Sequence, residues 1–381
     1  MARIFDSTTN SYKYLFFQAL LDHAAMLDDV RRMCESPRSV SFQELAARML
    51  ELAWYPAAFS NLSFGRQDQI TDCIRELRSS PEFAGYEFEG ATYEDPRQRL
   101  RRLLEQRPRI TAELGRFVPY RLLSPFFDKE LHGLRDQDKN DRICEFADAE
   151  FGSGRVPYRL YHRAHGDELL LHPAWIGYLR EHGPILQGWV RWHWCQYMLR
   201  RNPSTPNVAG RLFRRAERES LGSEKHFWRQ VCACMDVRCI YTDRPIEDGD
   251  LSLDHFLPWA FVGHDEPWNL VPVAREVNSA KGKRLPHKRF VSHLAHLHGE
   301  ALVATRSTMN GRAWEKRVEP YRVGLQVPLA TDHGYGLSDS ALRVEIQEGY
   351  IRTVRPLLQL AAGQGFAEGW TPRPPPPSGE P

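Results

Sequence analysis

Five polar residues in one short stretch, Asp254, His255, Asn269, Asn278 and Lys281, have types and spacings suited to hydrolytic chemistry. Asp254 and His255 are adjacent, with Leu253 before them and Phe256 and Leu257 after, so a carboxylate and an imidazole stand at the edge of an apolar surface. An imidazole can take a proton from water near neutral pH. The Asp254 carboxylate and the Asn278 amide oxygen are hard donors, and an all-oxygen site completed by water suits Mg²⁺ or Mn²⁺ rather than Zn²⁺.

The elements that must position these groups read strand, strand, helix. Residues 238–241 form a short β-branched and aromatic run, 242–245 and 247–250 carry turn chemistry, and 251–257 is a second strand, which together predict a hairpin. A loop with Gly263, His264, Asp265 and Pro267 follows, and from Asn269 the apolar residues Leu270, Val273, Ala274 and Val277 fall at helical spacing. Adjacent strand residues point to opposite faces. Asp254 and His255 therefore serve one site only if the helix, with Asn278 one to two turns along it, crosses close to the strand's end.

In this order the residues resemble the HNH nuclease motif, the ββα-metal or His-Me finger, over about residues 238–285. The resemblance implies His255 as general base and Asn269 as the brace that holds the loop and thereby the histidine. It further implies Asp254 and Asn278 as ligands of one divalent metal, and Lys281 facing the scissile phosphate. Lys283 and Arg284 extend that basic face toward nucleic acid. The implied reaction is hydrolysis of DNA to a 3′-hydroxyl and a 5′-phosphate, one nick per finger, so that double-strand cutting would need a homodimer. Many members carry a structural zinc on two cysteine pairs, but those positions read Cys239, Thr242, Ala274 and Val277 here. With three thiolates missing no structural zinc is expected, and Ile240, Leu253, Leu270, Val273 and Val277 are expected to form an apolar core instead. An HNH module behind a large helical region resembles bacterial restriction and anti-phage effectors, whose additional region senses a signal or docks a protein partner. The competing expectation is a non-catalytic nucleic-acid-binding or regulatory protein with a degenerate finger.

A chain of 381 residues exceeds what a nuclease finger needs and implies further domains. Its net charge of +2 does not announce a polyanionic partner, so any DNA contact must rest on local clusters such as Arg211, Arg214, Arg215 and Arg218, or residues 281–289. Seven scattered cysteines, an odd number, favour reduced thiols over a disulfide framework. The polar amino terminus and the lack of any long uncharged apolar run lead to the expectation of a cytoplasmic protein without a membrane partner.

The expected fold is mainly α with a small α+β part: helical N-terminal and middle regions, then the ββα finger, then C-terminal helices. The expected divisions are an all-helical 1–115, a mixed 116–205, a nuclease domain 206–300 with its core at 238–285, a helical extension 301–368 and a disordered proline-rich 369–381. Helices are predicted at about 11–32, after a capping box at Ser41 and Glu44, at 67–79, at 96–106, and over 173–201 with a break near Gly183 and Pro184. Trp175, Trp189, Trp192 and Trp194 in that last region are read as packing residues. Between residues 111 and 172 the pattern weakens, with strand candidates at 121–127, 143–146, 158–161 and 168–172. The segment 202–207 reads as a linker and a basic helix is expected over 210–234. A further helix at 286–298 would carry His287, His293, His296 and His298 as surface residues, 300–334 reads as turns, and a final helix opens at Ser338.

Overall fold

The computed structural model describes residues 3–6, 8–27, 36–83, 96–163, 166–213, 220–327 and 337–372. It is mainly helical with a few short strands, and it separates into two compact units, Met1–Pro203 and Ser204–Pro381.

The first unit holds helices α1 (Tyr12–Met26), α2 (Phe42–Trp54), α3 (Ile70–Arg78), α4 (Pro96–Gln106), α5 (Pro108–Gly115), α6 (Val118–Leu123), α7 (Lys139–Phe151), α8 (Pro173–Glu181) and α9 (Gly183–Arg201), with strands β1 (Arg38–Ser41), β2 (Tyr158–Arg163) and β3 (Gly166–Leu171). Ser41 caps α2 by accepting from the Glu44 amide at 3.2 Å. Helix α1 buries Leu15, Phe16, Phe17, Leu20 and Leu21, so it is wrapped on several sides rather than on one stripe. The sheet runs β1-β3-β2, antiparallel, with Val40 opposite Leu169. That pairing crosses the expected division near residue 115 and joins the N-terminal and middle regions in one unit. Two strand candidates are corrected: 121–127 is the end of α6 and a short 3₁₀ turn, and 143–146 lies inside α7. Helical hydrogen bonding took over segments whose apolar runs were too short to discriminate period. Of the four tryptophans only Trp194 is fully buried, and Trp192 is 61% exposed, which corrects its reading as a packing residue.

The second unit begins within the 202–207 segment. It contains α10 (Val208–Leu212), α11 (Gly222–Cys234), β4 (Leu251–His255), α12 (Trp259–Val262), β5 (Leu270–Ala274), α13 (Arg275–Lys281), α14 (Phe290–Arg306), α15 (Gly311–Gly324) and α16 (Asp339–Gly363). Arg214, Arg215 and Arg218 lie outside the described residues. Arg211 is fully buried over the Phe261 ring and donates to Gln364 at 3.0 Å, so it is not a surface contact for DNA. The expected turn region 300–334 is instead helical over 300–306 in α14 and 311–324 in α15, and 328–334 lie outside the described residues. His298 is buried, bonded to the Tyr321 hydroxyl at 2.9 Å, which corrects its assignment to the surface. Burial pushes its imidazole down to about 3.

The finger is a different strand, strand, helix from the expected one. Residues 238–241 do not form a ladder strand; Arg238 makes one bridge to Pro245 around a turn in which Asp243 is left-handed, φ 56°. The hairpin partner of β4 is β5, which runs antiparallel with Asp254 opposite Val271 and His255 opposite Leu270. Pro272 explains the outcome. Proline disfavours a helical residue before it and lacks an amide donor, which an edge strand of a two-stranded sheet tolerates. The helix consequently starts at Arg275 rather than Asn269.

Long-range contacts tie the parts of this unit together. The Tyr350 hydroxyl donates to the Trp268 carbonyl at 2.7 Å, and Gly324 lets the Trp268 indole approach, since a Cβ there would lie 2.1 Å from its Nε1. Residues after α16 return to the finger: the Leu285 amide donates to the Ala367 carbonyl, the Trp370 amide to the Leu285 carbonyl and the His287 amide to the Trp370 carbonyl. The Trp370 ring meets the edge of Tyr241 at 5.2 Å.

Candidate active site

Alternation along β4 divides its polar side chains between two faces. Ser252 and Asp254 face α13, while His255 faces the connection between β4 and β5. On α13, Asn278 and Lys281 are three residues apart and share a face. They follow the strand in step: the Asn278 amide donates to Ser252 Oγ at 2.8 Å and to the Leu253 carbonyl at 3.1 Å, and Lys281 Nζ reaches Asp254 Oδ1 at 2.9 Å and the His255 carbonyl at 2.7 Å.

Asp254 is 2% exposed and both its carboxylate oxygens are engaged, Oδ1 by Lys281 and Oδ2 by the Tyr241 hydroxyl at 2.8 Å. Burial pushes the Asp254 carboxyl up and the Lys281 ammonium down, against their mutual attraction. Burial likewise lifts the Tyr241 phenol far above its usual range, with the Asp254 charge adding to the effect, so it stays a donor. The Lys281 side chain is 0% exposed. The expectation that Lys281 faces a phosphate is therefore corrected: a short helix ending over β4 turns its ammonium inward to the buried Asp254 carboxylate. Lys283 and Arg284 are exposed beyond the helix end, and Arg284 lies over the Trp370 ring.

His255 has a different partner. Its Nε2 lies 2.7 Å from Asp265 Oδ1, with the two side chains 15% and 17% exposed. Asp265 was not among the residues singled out in the sequence, where it reads as turn chemistry beside Gly263. The neighbouring His264 is pushed down to about 4 by burial, with the His255 charge adding, so it stays neutral at pH 7. The Glu266 carboxyl is raised by burial and then by Glu224 and Asp265.

Asn269, 1% exposed, ties the connection shut. Its Oδ1 accepts from the Leu257 amide at 2.8 Å and its Nδ2 donates to the Leu257 carbonyl at 2.9 Å. The Phe256 amide adds a bond to the Asn269 carbonyl at 2.8 Å. The residues either side of the loop carrying Asp265 are thus clamped to each other. The apolar residues beneath, Ile240, Leu253, Leu270, Val273 and Val277, are all buried.

The HNH family typically uses a divalent metal, and the sequence pointed to Asp254 and Asn278 as its ligands. Their present arrangement does not fit such an ion. Both Asp254 oxygens are taken, one by an ammonium that is itself a cation, and the Asn278 amide is turned onto β4. Among the described residues no three His, Cys, Asp or Glu side chains gather as ligands.

Among the described residues no helix is long and apolar enough to cross a membrane. No curated protein and no solved structure matches the chain. Residues 239–287, from the turn before β4 to the segment clamped by Trp370, match the family model described as HNH endonuclease, which places this stretch of the chain in the HNH family.

Proposed function

We propose that the second unit hydrolyses phosphodiester bonds of DNA with His255 as general base. The observation that carries this reading is an imidazole held by a carboxylate at 2.7 Å inside a stretch matching the HNH endonuclease family. In the step itself His255 takes a proton from water, the water oxygen bonds to phosphorus, and the phosphorus bond to the 3′ oxygen breaks. That oxygen takes its proton from solvent, leaving a 3′-hydroxyl and a 5′-phosphate. Asn269 is the brace of the loop facing His255, and Lys283 and Arg284 are contacts for the DNA backbone; replacing both by alanine should weaken binding and lower its salt dependence. The expected Mg²⁺ or Mn²⁺ can draw on Asp254 and Asn278 only after Lys281 withdraws, so the reading rests on the chain's own groups. A role in restriction or anti-phage defence is proposed on architecture alone, a helical unit joined to an HNH domain.

One observation favours a second reading. The buried Lys281–Asp254 pair is a satisfied structural contact, as in a nucleic-acid-binding protein whose finger no longer cuts. Incubation of supercoiled plasmid with Mg²⁺ or Mn²⁺ separates the two. Nicking by the native chain that His255→Ala abolishes supports the nuclease; equal activity in both, or none in either with DNA binding retained, overturns it.

A further inference from the structure

We propose that Asp265 is the positioning residue of the candidate base: it holds the Nε2–H of His255, fixes the imidazole in that tautomer, and leaves Nδ1 as the atom that takes the proton from water. This inference rests on the nuclease reading for its consequence, but its structural part stands apart from activity.

A carboxylate only accepts hydrogen bonds, so a 2.7 Å contact between Asp265 Oδ1 and His255 Nε2 requires the proton on Nε2. In a neutral imidazole the other nitrogen is then the acceptor, and no hydrogen bond to Nδ1 is made among the described residues. Without a partner the two tautomers interconvert and the ring rotates, so a fraction of molecules would present N–H to the water and could not act as base. A carboxylate that orients an imidazole supplies this selection without touching substrate.

The loop is built to hold Asp265 in place. Gly263 adopts φ +66°, which ends α12 and turns the chain, and its carbonyl accepts from Asn207 Nδ2 at 2.9 Å. The Asn269 amide closes onto the Glu266 carbonyl at 2.9 Å, and the Asn269 side chain clamps Leu257 on the other side. Asp265 thus lies between two fixed points, Gly263 and Glu266, within a connection whose ends are tied. The role of Asn269 extends accordingly: besides bracing the strand that bears His255, it positions the carboxylate that orients it.

The test has two arms on the full chain. Histidine-selective nitrogen NMR, with the His255 signal identified by its loss in His255→Ala, should report the Nε2–H tautomer in the native chain and a mixed or opposite form in Asp265→Ala. Plasmid nicking should fall by roughly 10²-fold in kcat for Asp265→Asn and Asp265→Ala with KM near native. Asp265→Glu should recover part of that loss if its longer carboxylate reaches Nε2. A native His255 in the Nδ1–H form, or a tautomer unchanged in Asp265→Ala, overturns the proposal whatever the activity. Variants that nick within twofold of native while His255→Ala is inactive overturn it and leave the nuclease reading intact. A native chain that does not nick sinks the nuclease reading, and the NMR arm then decides the assignment of Asp265 by itself.

Discussion

Replacing Lys281 with methionine removes the ammonium from a carboxylate that water does not reach. The two groups lie 2.9 Å apart with side-chain exposures of 0% and 3%, so the loss is not softened by solvent screening. Breaking one side of a buried ion pair costs about 3–5 kcal/mol. Protonation of Asp254 sets a ceiling. Between the ordinary carboxyl value of 3.8 and pH 7 lie about three pH units at ~1.4 kcal/mol each, so the second unit should lose no more than ~4 kcal/mol at pH 7. The sign then follows. Burial already raises the native Asp254 carboxyl against the lowering effect of Lys281, so removing the ammonium raises it further, and the variant's extra deficit shrinks as pH falls. Urea denaturation of native and variant chains at pH 7 and pH 5 should show a difference of about 3–4 kcal/mol that shrinks by up to ~3 kcal/mol at the lower pH. Adding Mn²⁺ should stabilise the variant more than the native chain, because the cation no longer competes with an ammonium at Asp254. A variant within ~1 kcal/mol of native at pH 7, or a deficit that does not change with pH, refutes the reasoning.

Two further outcomes follow from the same unit. Asn269→Ala leaves the Leu257 amide and carbonyl without their side-chain partner and should cost about 2–4 kcal/mol in urea denaturation, with nicking reduced even where the protein remains folded. His298, pushed down to about 3, stays neutral in the folded chain while the unfolded chain takes a proton below its ordinary 6.5. The His298 contribution should therefore be complete above pH 6.5 and fall by ~1.4 kcal/mol per unit below it, about 2 kcal/mol by pH 5. His298→Gln should remove that share of the slope while the His264 share remains, and an unchanged slope between native and variant would contradict it.

The sequence made parts of this site readable because they depend on local order. Asp254 and His255 on a strand, Asn269 ahead of an apolar run, and Asn278 and Lys281 at one face of a helix are all fixed by spacing. The Ser41 and Ser338 caps are local for the same reason. The second strand is not legible in the sequence because 270–274 satisfies helical spacing and a buried strand equally. Pro272 was the signal that could have decided it. The partners of the functional groups were harder. Tyr241 reaches Asp254 from 13 positions away and Lys281 from 27, and no periodicity encodes which buried carboxylate an inward-turned lysine will meet. Asp265 was hidden differently, since an aspartate beside glycine in a loop has an ordinary turn role that masks a second one. The helix over 311–324 is poorly marked in the sequence because it contains Pro320 and few apolar residues, while Trp314, Val318 and Tyr321 bury its inner side.

The return of residues 367–370 to the finger ties assembly to synthesis. Leu285 and His287, just past the helix that carries Lys281, take their backbone partners from Ala367 and Trp370, and the Trp370 ring closes over the tyrosine bonded to Asp254. A growing chain that has made every candidate site residue still lacks this cover until some eighty more residues have emerged. The finger would then ripen late, only once residue 370 has emerged, rather than as soon as it leaves the ribosome itself. Cleaving the finished protein between Gly363 and Trp370 with a protease should loosen Tyr241, seen as a change in its fluorescence, and unaltered emission would argue against the link. Such timing would leave the pocket around Asp254 uncovered in a half-made chain.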